Sequence, residues 1–145
     1  MLFESLKSKI NKIKRDLHDK KMRRINGEIK YIASIIEPDI RSEIISYINL
    51  LNFVNKSKSS LSVEFSTRVI NGSFILHVYI FENSNINCIS SNQCNHFMMV
   101  EKMIKLLKDN TVYKKFEREY HIKIDITPDK ISPCGSDLCV VISFN

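Results

Sequence analysis

The chain has 145 residues, enough for one domain that buries about two-thirds of its unfolded surface, and its 43% hydrophobic and 26% charged content is ordinary for a globular protein. No apolar run approaches the roughly 18 residues of a membrane span. The opening MLFESLKSKINK sets an acid and lysines where a signal peptide needs its apolar stretch.

The expectation is an intracellular protein without a transmembrane segment, cytoplasmic or nuclear, or one packed inside a viral particle. Heavy use of Ile, Lys, Asn and Ser fits an AT-rich genome, that of a virus, phage or parasite. The four cysteines are then expected reduced. The net charge of +6 sits wholly at one end. Residues 1–30 hold ten Lys or Arg against four acids, and residues 31–145 hold twelve of each sign.

The first element is a helix. Leu2, Phe3, Leu6, Ile10, Ile13 and Leu17 recur at spacings of three and four, which places them within an arc of about 100°. Beyond Leu17 the angles due for apolar residues carry Lys20, Lys21 and Arg24. The helix is therefore expected to have a packed first half and a second half without an apolar partner. Asn26-Gly27 reads as a stop or hinge. Residues 28–36 resume the pattern through Ile29, Ile32 and Ile36, Glu37-Pro38-Asp39 interrupts it, and a fresh helix is expected over 38–54 with Ile40, Ile44, Ile48 and Leu51 inward. Residues 55–60 read as a polar linker.

A hairpin is expected over 61–82, because two β-rich runs flank Asn71-Gly72, the preferred pair for a two-residue turn. Closure there pairs Val69 with Phe74, Thr67 with Leu76, Phe65 with Val78 and Val63 with Ile80, giving one apolar face. On the other face Ser62, Glu64, Ser66 and Arg68 suit water but Ile75, Tyr79 and Phe81 do not. The first strand is thus read as near an edge and the second as central. Residues 83–95 read as a loop. Helices follow within 96–119, the first with Phe97, Val100, Ile104 and Leu107 on one side, the second capped by Asn110 or Thr111. A second hairpin over 121–144 combines the alternation of Ile122, Ile124 and Ile126 with the strand LCVVISF. The predicted fold is α+β: N-terminal helices, then ββ-α-α-ββ, forming a small antiparallel sheet with helices packed on it. Residues 1–36 are read as a basic helical arm, and 37–145 as a single α+β domain.

Residues 7–24, KSKINKIKRDLHDKKMRR, carry nine cations and two Asp. A dense Lys/Arg helix binds nucleic-acid backbone by releasing counterions, without reading bases. Lys12, Lys14, Arg15, Lys20, Lys21, Arg23 and Arg24 are the candidate polyanion-binding residues. The plainer reading is a solvated helix face whose long side chains lie beside the stripe. A basic amphipathic helix also suits an anionic membrane surface. Leu6, Ile10, Ile13 and Leu17 form a short heptad seam, so self-association is a further reading, although packing on the chain's own sheet is the expected use.

Cys88, Cys94, His96, Cys134 and Cys139 are potential zinc ligands, but the five-residue gap from Cys88 to Cys94 is too wide for a zinc knuckle, and the strand setting of Cys139 fits a small buried hydrophobe better. No cofactor is expected. Gly27, Gly72 and Gly135 are isolated, so no phosphate-cradling loop exists. His121, Lys123 and Asp125 share one strand face in this reading, as any half-buried strand presents polar groups, and His18, His77 and His96 lack partners. Tyr79 and Phe81 could stack bases, but Arg68 is the only strand cation opposite them. No catalytic residue is assigned. The sequence points to a non-catalytic protein that uses its basic helix on an acidic partner, foremost nucleic acid. The alternative is an assembly component acting through protein–protein contacts.

Overall fold

In a computed structural model, which describes residues 2–54, 60–82, 92–132 and 135–145, the chain forms helix α1 (Leu2–Val54), strands β1 (Leu61–Ile70) and β2 (Ser73–Glu82), helices α2 (Asn92–Lys108) and α3 (Thr111–Tyr120), and strands β3 (Ile122–Ser132) and β4 (Gly135–Phe144). The four strands make one sheet in the order β1-β2-β4-β3, every neighbouring pair antiparallel. This is the predicted α+β arrangement, with β1 at an edge and β2 inside. The expected linker over 55–60 and loop over 83–95 fall largely outside the described residues; α2 already begins at Asn92.

The first hairpin closes at Asn71-Gly72 with the anticipated register, Val69 opposite Phe74 through Val63 opposite Ile80. Both turn residues take positive φ, 49° and 79°, the combination that a tight hairpin turn demands and that Asn and Gly tolerate. On the other side of β2, Phe74, Leu76 and Val78 meet Ile142, Val140 and Leu138 of β4. Ile124 and Ile126 of β3 then meet Ile142 and Val140. One face of the sheet is thereby a continuous apolar floor. Edge strand β3 carries Pro128 and a register shift between Pro128 and Ile131, features that discourage further strand pairing at an edge.

All three helices pack on that floor. Ile29, Ala33, Ile36, Ile40 and Ile44 of α1, Val100, Met103 and Leu107 of α2, and Tyr113 of α3 join the sheet residues in one core. Full burial of each Ile stabilises the fold by about 1.5–3 kcal/mol. Among the described residues nothing covers the opposite face of the sheet.

The N-terminal helices differ from expectation. No break occurs at Asn26-Gly27, and no new helix starts at Pro38: α1 is one helix of 53 residues with Pro38 inside it. Pro38 forfeits a backbone hydrogen bond, and Gly27 is a poor helix former. Pro38 is outweighed because buried residues continue on either side of it, from Ile29 to Ile48, and Gly27 because half-buried Met22 and Ile25 precede it and buried Ile29 follows. Hydrogen bonds hold this stretch to the first hairpin at its two ends. Asn26 Oδ1 accepts from Gly72 N at 2.6 Å in the turn. At the open end Asn52 accepts from Leu61 N at 2.7 Å and donates to Leu61 O at 2.9 Å. Helix rise over those 26 positions is about 39 Å, somewhat more than the length of the 10-residue strand β1 beside it, about 34 Å, with the turn making up the rest. Between the two clasps Arg41 places its guanidinium 4.9 Å from the ring centroid of Phe65 while pairing with Glu37.

Candidate anion-binding arm and open sheet face

The first turns of α1 lie clear of the body. Every residue from Leu2 to Lys21 is exposed, and the six apolar residues of the stripe are 45–89% exposed. The stripe therefore does not pack on the chain's own sheet, as its spacing had suggested. The residues that do face the body are Met22, Ile25, Ile29, Ala33, Ile36 and Ile40. At 100° per residue the two stripes are centred roughly 130° apart around the helix. The signal was present in the spacing: five positions separate Leu17 from Met22, a slip that no single helical face accommodates. The arm boundary moves accordingly, since Ile29, Ala33 and Ile36, read as arm, belong to the core.

Lys12, Lys14, Arg15, Lys20 and Lys21 lie on this free stretch, Arg23 and Arg24 lie just beyond it between the body-facing Met22 and Ile25, and all seven are exposed. Arg24 Nε is 3.9 Å from Glu28 Oε1, both side chains largely in water, a pair that contributes little. Arg23 Nε donates to Asp19 O at 3.5 Å. Among the described residues no carboxylate is in ion-pair range of Lys20 or Lys21. Helix geometry gathers Lys14, Lys20, Lys21 and Arg24 on the side of the apolar stripe. Lys12, Arg15 and Arg23 are turned more than about 100° from its centre. The seven candidates thus form a collar around the arm, densest beyond the stripe's end.

The uncovered sheet face carries a different chemistry. Tyr79 and Phe81 stack there with ring centroids 5.2 Å apart and planes at 19°. His77 Nδ1 stands 3.6 Å from Asp129 Oδ2. One ligand atom from each of His77, Asp129 and Asp137 lies within 4.8 Å of the others, and Asp137 Oδ1 is buried. An imidazole with two carboxylates is a donor set for a divalent ion such as zinc, after the side chains draw in to about 2.0–2.2 Å. This group, rather than the cysteines, is where the described residues could hold a metal. Cys88 and Cys134 lie outside the described residues, and so do the side chains of Cys94 and His96. Cys139, directly across from His77, is a free thiol that burial and the Asp129 and Asp137 carboxylates push up, with Arg68 opposing, so it stays protonated and unreactive near neutral pH. Two acids beside the Tyr79–Phe81 stack repel phosphate, which makes the stack a poor platform for single strands.

One further group resolves differently from the sequence reading. His121 is not on the strand with Lys123 and Asp125. It caps α3 in the left-handed conformation with φ 54°, its N–H donating to Glu117 O, while Lys123 and Asp125 pair with each other at 3.6 Å. A groove of about 210 Å³ between α1 and α2, lined by Glu43, Tyr47, Leu50, Met103 and Leu106, is smaller than ordinary ligand cavities of 300 Å³ or more. No helix of the described residues is long and apolar enough to cross a membrane. No protein-family model, curated protein or solved structure matches the chain.

Proposed function

We propose that the protein is a binding component in which an α+β body presents a basic helical arm to an anionic partner. The observation that carries this reading is the exposure of Lys20 and Lys21 with no described carboxylate in range, on a helix held to the body by the buried face that begins just beyond them. The recognised chemistry is an array of phosphates. Lys and Arg side chains neutralise it and release its counterions, positioning the partner without reading bases. Nucleic-acid backbone is one source of such an array and lipid headgroups are another. This role calls on no catalytic residue and no cofactor.

Titration of the full chain with labelled duplex DNA, RNA and anionic vesicles at two salt concentrations tests the reading. Binding to at least one, falling steeply with salt and abolished by Lys20→Glu/Lys21→Glu reversal, is the expected result. Binding to none, or binding indifferent to salt, overturns it. The assembly reading is favoured by a separate observation, the bare apolar stripe, but its flanking charges weigh against pairing with an identical arm.

A further inference from the structure

We propose that the free part of α1 is an in-plane helix that docks on an anionic lipid surface. This rests on the anion-binding reading and names the source of the phosphates. The argument starts from what must cover Leu2, Phe3, Leu6, Ile10, Ile13 and Leu17. Six large apolar side chains exposed along about 24 Å of helix form a contiguous patch of the kind that marks an interaction surface. The described residues of the body leave them exposed, because the helix's own docking stripe faces roughly 130° away.

A second copy of the arm is disfavoured by charge. In the heptad frame that puts Phe3, Ile10 and Leu17 at one seam position and Leu6 and Ile13 at the other, the flanking positions are Lys7, Lys9, Lys14, Asp16, Lys21 and Arg23. In a parallel pair Lys9 faces the second copy's Lys14, Asp16 offers the one attraction, to Lys21, and Lys20 falls on the seam itself where an apolar residue is due. A nucleic-acid backbone meets the cations but offers nothing to the apolar stripe.

An anionic bilayer surface meets both. Apolar side chains of an interfacial helix enter the boundary between headgroups and acyl chains, while bordering Lys and Arg reach the phosphates. Lys9 and Lys14 border the stripe on either side. Lys20, Lys21 and Arg24 continue its line where the apolar residues end. A helix whose tip, Leu2 and Phe3, lies deepest and which rises toward the body brings those three cations to headgroup level. The order of side chains along one face thus matches the order of layers in the lipid surface.

The chain contains no Trp, so a Phe3→Trp variant carries a single fluorescent reporter at the tip. Vesicles of phosphatidylcholine with phosphatidylserine are expected to shift its emission to the blue and to sediment the protein at least about tenfold more strongly than phosphatidylcholine alone. The Ile10→Ser/Ile13→Ser variant changes only exposed side chains and leaves the circular dichroism intact. It is expected to bind vesicles about tenfold or more weakly while keeping whatever affinity the unaltered chain has for DNA. Unchanged vesicle binding by that variant overturns the proposal. So does DNA binding without vesicle binding, although the anion-binding reading then survives. Binding to neither removes both. A dimer abolished by the same variant, with no vesicle binding, overturns the lipid assignment in favour of self-association.

Discussion

The side-chain oxygen of Asn26 lies 2.6 Å from the backbone nitrogen of Gly72, so the position read from sequence as a helix stop is instead the clasp that fixes the hairpin turn to the helix. Asn26→Ala removes that acceptor and is expected to destabilise the fold by about 1 kcal/mol, measured by urea unfolding. Gly72→Ala is expected to cost more. Its φ of 79° disfavours a side chain, and the new Cβ would sit 3.1 Å from Ile25 Cγ2.

Gly27 next to that clasp makes the opposite prediction. A Cβ placed there meets nothing within 4 Å, and the residue lies in the interior of α1. Gly27→Ala is expected to stabilise by about 0.5–1 kcal/mol, because the helix loses less backbone freedom on folding. A higher Tm with an unchanged urea slope is the signature. A lower Tm shows that the helix breaks there after all.

Tyr113 and Glu43 give an alkaline signature. The Tyr113 hydroxyl, in a buried residue, donates to Glu43 Oε2 at 2.6 Å, and Asn110 Nδ2 donates to the same oxygen at 2.7 Å while its own side chain caps α3 through Val112 N. Burial first, then the bond to Glu43 and the charges of Glu43 and Asp39, push the phenol above its ordinary value. The folded protein therefore keeps a proton that the unfolded chain releases near pH 10. Stability from this group is complete below that pH and falls by about 1.4 kcal/mol per unit above it. Tyr113→Phe is expected to be less stable at neutral pH, and its unfolding free energy is expected to decline less between pH 10 and 11.

Charge reversal on the arm separates binding from folding. Lys20→Glu/Lys21→Glu touches exposed side chains, so Tm should stay within about 2 °C, as expected for surface changes of under ~0.5 kcal/mol. Polyanion affinity should fall, and the slope of log K against log salt should become shallower by about one unit for each phosphate the arm no longer neutralises. Isothermal titration at two or three salt concentrations reads both.

Much of the sheet could be read from the chain because its determinants are local. Asn71-Gly72 defines one turn and the two-residue alternation of Val63 to Ile80 defines a register with no competitor. The arm was harder. Gly27 and Pro38 are strong local signals for interruption, and they are overridden by long-range burial of Ile29, Ile36 and Ile40 against strands more than twenty positions away in sequence. The stripe from Leu2 to Leu17 looked like core because spacing reveals that a face is apolar, not what will cover it. The neighbourhood of His77, Asp129 and Asp137 lay beyond sequence reasoning: three separate strands bring those residues together, and no spacing within one segment records the meeting.

The five-position step from Leu17 to Met22 makes α1 behave as a driveshaft with two keyways cut at different clock positions. Whatever grips the outer keyway also dictates which way the body looks, because no joint intervenes between them. Adding one residue between His18 and Lys21 would advance the outer keyway by about 100° and 1.5 Å, swinging the bare side of the sheet to a new heading while leaving each keyway's own fit untouched.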